Sequence, residues 1–215
     1  GALSTATIVF QICATVPNPA ISADTNITVN GQALFITIAA NNTIEKLSTQ
    51  YRKTFSVQVS DSNGSPVANQ SLTVSVWPSS YSKGELKFSS TKNVWVSDIS
   101  VSCPNEDANR DGKLDAGEDF NSNGVLTPGQ PGLVSPANLT TDAAGNVEFN
   151  VTYGQQFAYW IDFDLSAKAT VAGTESGAFF LFPAAAPSSD ATNKDVPPAA
   201  FNNPFGTASS CSDRN

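Results

Sequence analysis

The sequence predicts an all-β chain, a two-sheet β-sandwich with no substantial helix, interrupted by a long acidic insert. Three observations carry that expectation. Apolar and polar residues alternate at period two in several segments, as in half-buried strands. Gly, Pro, Asn, Asp and Ser clusters of turn type separate those segments. No segment repeats its apolar residues at the helical spacing.

The strands can be taken in order. Thr5 to Ile12 (TATIVFQI) is β-branched and aromatic, and Asn26 to Val29 and Ala33 to Ala39 follow. Asn41 to Gln50 (NNTIEKLSTQ) is polar and reads as a connector and domain boundary. From Tyr51 the rhythm is regular. Phe55, Val57 and Val59 alternate with Ser56, Gln58 and Ser60, and DSNGSP supplies a turn. Leu72, Val74 and Val76 share one face of the next strand. Leu86 with Phe88, and then Val94 to Ile99, indicate two more. After the insert, TDAAG turns into a strand built on Val147, Phe149 and Val151. Ile161, Phe163, Leu165, Ala167 and Ala169 alternate in another, and Ala178 to Phe182 is the last. Residues 1–45 are expected to be strands of a preceding unit or a donated N-terminal segment, 46–183 the sandwich, and 184–215 a Pro/Ala/Ser-rich tail. Phe201, Phe205 and Cys211 give that tail the means to pack on the domain.

Composition excludes several functions. The net charge is −8 and there is no Lys/Arg-rich run, so nucleic acid is not an expected partner. No apolar run approaches the about 20 residues that span a bilayer, so the chain is not expected to be membrane-embedded. The chain has no histidine, which removes Ser-His-Asp and Cys-His nucleophiles and His-based zinc sites. Asp162 and Asp164 lie two apart on one strand face and are expected to be solvated surface, so no enzyme is expected. Trp77, Tyr81, Trp95, Tyr159 and Trp160 are candidate sugar platforms, better explained as packing residues. Of the three cysteines, Cys103 and Cys211 stand in polar, irregular sequence where free thiols would be exposed. A bridge between them in an oxidising compartment is expected, leaving the role of Cys13 open.

The residues 103–132 carry the chemistry. DANRDGKLDAGE fits a twelve-position calcium loop, with Asp107, Asn109, Asp111, the Lys113 carbonyl, Asp115 and Glu118 at positions 1, 3, 5, 7, 9 and 12. Gly112 falls at position 6, where the loop turns sharply. Leu114, at position 8, is expected to dock into the core. Calcium takes six to eight oxygens at about 2.3–2.6 Å, and alternate residues of a tight loop can deliver them. The motif restarts at once: Asp119, Asn121, Asn123, the Val125 carbonyl, Thr127 and Gln130 repeat the ligand positions around Gly124. Its neutral residues at positions 9 and 12 make it the weaker site. From Glu106 to Asp119 six acids face Arg110 and Lys113, a net −4 that is half the charge of the chain. The strand-like flanks VWVSDISVSC and LVSPANLT exclude a helical EF-hand.

FSVQVSDSNGSPVANQSLTVSVWP, TTDAAGNVEFNVTY and AYWIDFDLSAKATVAGTES resemble the invasin/intimin-type bacterial immunoglobulin-like repeats, over about two thirds of the chain. The insert and the VPPAAFNNPFG tail are similar to those of long surface proteins of Gram-negative bacteria. The resemblance implies an extracellular structural or adhesive module at a bacterial cell surface, with neighbouring Ig-like units, a receptor or a glycan as partners. A second expectation is a filament subunit that donates its N-terminal strand to an identical subunit.

Overall fold

The computed structural model describes residues 7–17, 20–30, 34–171 and 174–214, with the backbone alone described as far as residue 30. Strands β1 (Thr7–Pro17) and β2 (Ala20–Asn30) form an antiparallel hairpin and pair only with each other among the described strands. Cys13 stands opposite Asp24 in that register. Its side chain lies outside the described residues.

The rest is an all-β sandwich of two antiparallel sheets. Its strands are β3 (Phe35–Lys46), β4 (Gln50–Ser60), β5 (Ser71–Ser89), β6 (Val94–Pro104), β7 (Gly132–Ser135), β8 (Asn138–Thr140), β9 (Asn146–Gly154), β10 (Ile161–Val171) and β11 (Thr174–Pro183). One sheet runs β11-β10-β5-β6, with β8 also on β5, and the other runs β3-β4-β9-β7. Among the described residues helix is confined to one 3-10 turn (Gln155–Phe157) and one four-residue turn, α1 (Ser188–Ala191). Among the described residues no helix is long and apolar enough to cross a membrane.

Period-two alternation builds the core. Phe55, Val57 and Val59 of β4 and Phe149, Val151 and Tyr153 of β9 are buried from one sheet. Leu72, Val74 and Val76 of β5 and Phe163, Leu165 and Ala167 of β10 are buried from the other. The faces interlock through aromatic rings, with Phe55 to Phe182 at 4.8 Å and Tyr153 to Phe163 at 5.9 Å between centroids. Such pairs add about 0.5–1.5 kcal/mol each beyond the area they bury.

Two expectations about the strands are corrected. Asn41–Lys46 is the second half of β3, paired with β4 through Lys46↔Tyr51 after a register shift between Ala40 and Ile44. The boundary expected at residue 45 therefore falls inside a hairpin of the sandwich. The segment is polar because β3 is an edge strand that faces water. Likewise, Leu72 to Trp77 and Leu86 to Phe88 belong to one 19-residue strand. Its first half pairs with β10 and its second with β6, with register shifts near Pro78 and at Lys83/Gly84. Pro78, which has no N–H, sits beside the first irregularity, where a ladder bond is already interrupted.

The tail is strapped across the sandwich. Trp95 and Trp160 donate their indole N–H groups to the Asn193 and Ala200 carbonyls, both at 2.8 Å. Phe201 packs on Trp95, and Phe205 on Tyr81. Asp190 accepts hydrogen bonds from Tyr51 Oη at 2.6 Å and Lys46 Nζ at 2.8 Å. Burial pushes the Asp190 carboxyl up, but these two donors outweigh it and hold it below its ordinary value.

Gly84 is required where β5 changes partners. Its φ is +146°, and a Cβ there would lie 2.2 Å from the Asp98 carbonyl oxygen. Gly84→Ala is expected to destabilise the domain by about 2–3 kcal/mol, from strained backbone plus the clash. A shift of the urea midpoint with unchanged slope would measure it.

Candidate metal centre

The insert leaves the sandwich from β6 and returns at β7, and both ends are fixed. At the entrance Cys103 is buried and disulfide-bonded to Cys211, 108 residues away. The next anchor is Asn105, whose N–H bonds Ser79 O at 3.1 Å and whose side-chain amide bonds Pro78 O at 2.6 Å. At the exit Gly132 lies flat on Phe163, where a Cβ would meet the ring at 2.7 Å.

Between these ends the two loops are folded alike. In the first, Asp107 accepts the N–H of Asp111 on Oδ1 and that of Gly112 on Oδ2, at 3.1 and 2.9 Å. In the second, Asp119 accepts the N–H of Asn123 and of Gly124, both at 2.9 Å. Asn109 and Asn121, at position 3, each accept the N–H two residues on. Asp111 and Asn123, at position 5, do the same at 2.8 Å. The amide of position 3 donates to position 9 in both: Asn109 to Asp115 at 2.8 Å and Asn121 to Thr127 Oγ1 at 2.9 Å. Position 4 has φ of +64° (Arg110) and +56° (Ser122), and position 6 of +75° (Gly112) and +81° (Gly124). These are local bonds of Asx type, so each Asp-x-Asn-x-Asp/Asn-Gly run winds itself.

The loops differ at position 12. Glu118 turns back over the first loop and accepts the N–H of Ala108 and of Asp115, both at 3.0 Å. Gln130 does not do this for the second loop. Its side-chain amide donates to Val76 O and Gly132 O, at 2.9 and 3.0 Å, joining the insert to the sheets. The carboxylate over the second loop is Glu106, which the ligand pattern did not include. It accepts the N–H of Asn121 at 3.2 Å and of Thr127 at 2.8 Å.

Another expectation fails at position 8. Leu114 is 40% exposed and does not enter the core, since no flanking helices exist to carry it inward. Leu126, its counterpart, is half-buried.

The electrostatics are unbalanced. Glu106, Asp107 and Glu118 are buried. Among the described residues none of the six acids from Glu106 to Asp119 forms an ion pair. Arg110, the nearest cation in sequence, points away, stacking over Trp77 and pairing with Asp164 at 3.3 Å. No group of three or more acidic, histidine or cysteine side chains gathers tightly enough among the described residues to hold an ion by itself. The carboxylates are turned onto loop N–H groups, each bond using one lone pair and leaving others available. A loop ion would draw further oxygens from Asn109, Asn121 and Asn123, from the Lys113 and Val125 carbonyls, and from water.

The other candidate groups are placed as follows. Asp162 accepts a hydrogen bond from Ser80 and Asp164 is held by Arg110. Tyr81 and Trp160 are buried, and Trp95 is wedged between Phe88 and Phe201. The chain matches no family model, no curated protein and no solved structure. The likeness to invasin/intimin-type repeats therefore rests on the sequence stretches quoted above.

The bridge at the mouth of the insert is expected to matter for stability. In the chain-entropy account a loop of this size is worth about 4–5 kcal/mol. Cys211→Ser is expected to lower the denaturant midpoint and to make the 184–210 strap susceptible to limited proteolysis, read by mass spectrometry of the fragments.

Proposed function

We propose that the chain is an extracellular structural or adhesive module of a bacterial surface protein, stiffened by calcium held in the 103–132 insert. The observation that carries this reading is the set of six acids that form no ion pair among the described residues, three of them withdrawn from water. A buried carboxylate left without a counter-charge costs several kcal/mol, and a hard divalent cation removes that cost. The oxygen-only donor set, with no His or thiolate, suits calcium better than zinc or copper. The Cys103–Cys211 bridge supports an exported protein, because disulfides persist in oxidising compartments. Sandwich units commonly act as spacers, with partner sites on their surfaces.

A second reading, a filament subunit joined by strand donation, is favoured by two observations. The β1–β2 ribbon pairs only with itself among the described strands, and a two-stranded ribbon is marginal alone. Edge strand β11 carries Phe179 and Leu181, 74% and 65% exposed. An open apolar edge is what a donated strand would cover. Negative-stain microscopy and size-exclusion chromatography distinguish the readings: filaments or ladders support donation, and a monodisperse monomer at high concentration rejects it.

Calcium itself is tested by melting. Saturation at a hundred times Kd should stabilise the fold by about 2.7 kcal/mol. For a domain of this size that corresponds to a Tm rise of roughly 5–10 °C over the chelated protein. Identical melting curves in chelator and in millimolar calcium would reject the reading.

A further inference from the structure

We propose that Glu106 is the acidic ligand of the second loop, so that the insert holds two calcium ions, not one firm and one weak. This rests on the calcium reading above and sharpens it. Glu106 stands to the second loop as Glu118 stands to the first. Each glutamate closes over its loop by accepting the N–H of position 9, from Thr127 and Asp115 respectively, and a second N–H from position 2 or 3. With Glu106 supplied, the second loop has two carboxylates, Glu106 and Asp119, joined by oxygens of Asn121, Asn123, Thr127 and Val125. That is a hard, all-oxygen set of the number calcium takes.

Two observations outside the loop hydrogen bonding point to a ligand there. The first is charge. Glu106 is fully buried, 0% exposed, and forms no ion pair. Its two backbone donors orient it but carry no net charge, so the burial of the anion is left unbalanced. The second is Tyr81. Its side chain is 1% exposed, and its Oη is buried without a hydrogen-bond partner. Tyr81 lines, with Asn121, Asn123 and Thr127, a cavity of about 260 Å³ between the second loop and the tail. The Asn121 amide donates to Thr127 and its oxygen accepts from Asn123, and neither makes a hydrogen bond of normal geometry with the Tyr81 hydroxyl. Buried polar groups in native proteins are nearly always paired, often through ordered water. A water in the shell of a bound ion supplies the missing partner. Two cations stand on the same cavity wall, Lys83 donating to the Asp213 carbonyl and Arg214 to the Ser122 carbonyl, and neither forms an ion pair with Glu106.

The arrangement also interlocks the two sites. Glu106 and Asp107 are adjacent in the chain yet serve different loops, and so do Glu118 and Asp119. Ordering one loop therefore places a carboxylate of the other, which is the condition for positive coupling between sites.

The test is a calcium titration of the chelator-stripped, disulfide-intact chain by isothermal calorimetry, with terbium luminescence as a second readout. The wild type is expected to take two ions. Glu106→Gln is expected to take one, and Glu118→Gln to lose the other. Gln130→Ala is expected to keep both, because Gln130 bonds the sheets. Should Glu106→Gln fail to fold, Gln130→Ala decides: loss of one ion there would return position 12 to Gln130 and overturn the proposal. A wild type that takes one ion, with Glu106→Gln unchanged, overturns this inference while leaving the calcium reading in place. A wild type that takes none overturns both.

Discussion

Negative charge withdrawn from water without a partner is the constraint on which the rest of the insert depends. Glu106, Asp107 and Glu118 are buried at the base of two loops, while Arg110 pairs with Asp164 and Lys83 donates to the Asp213 carbonyl. Backbone N–H groups fix where these carboxylates point, but dipoles do not cancel a net charge. Everything else in the insert agrees with that requirement. The loops wind so that side-chain oxygens face inward, the glycines stand where φ must be positive, and the apolar residues are left outside or at the rim.

Insert and sandwich are not separable parts. The end of β6 is tied by covalent bond to the tail, and Asn105 just beyond it is tied by hydrogen bond to the irregular stretch of β5 around Pro78. The last ones fold under Gln130 and onto the ring of Phe163, which also packs on Tyr153 and Phe182. A change of order in the loops is thus felt by the same aromatic residues that join the two sheets.

The legible and illegible parts of the sequence divide by the range of the interactions. Phe55, Val57 and Val59 declared their strand because a pleat reports burial at every second residue. The twelve-residue repeat was legible because its bonds run two, four or five residues along the chain, from Asp107 to Gly112 and again from Asp119 to Gly124. Glu106 was missed because it acts across 15 and 21 residues, and no local pattern marks it. Gln130 fitted the spacing but bonds strands the spacing does not see. Leu114 was placed inside by analogy with loops flanked by helices, which this fold lacks. Asn41–Lys46 looked like a connector because an edge strand wetted on its faces loses the alternation that identifies it. The continuity of β5 was hidden because Pro78 and Gly84 read as breaks, although irregular pairing absorbs both.

The strap from Ala184 to Cys211 has a mechanical consequence. Its end is joined covalently to Cys103, the last stretch of β6 before the insert. Tension arriving from beyond Cys211 therefore passes directly into β6 and its ladder with β5, bypassing the 27 residues from Ala184 to Ser210. Those residues cannot be unspooled as slack, and the load falls on a ten-rung antiparallel pairing, next to the loops where the acidic charge is concentrated.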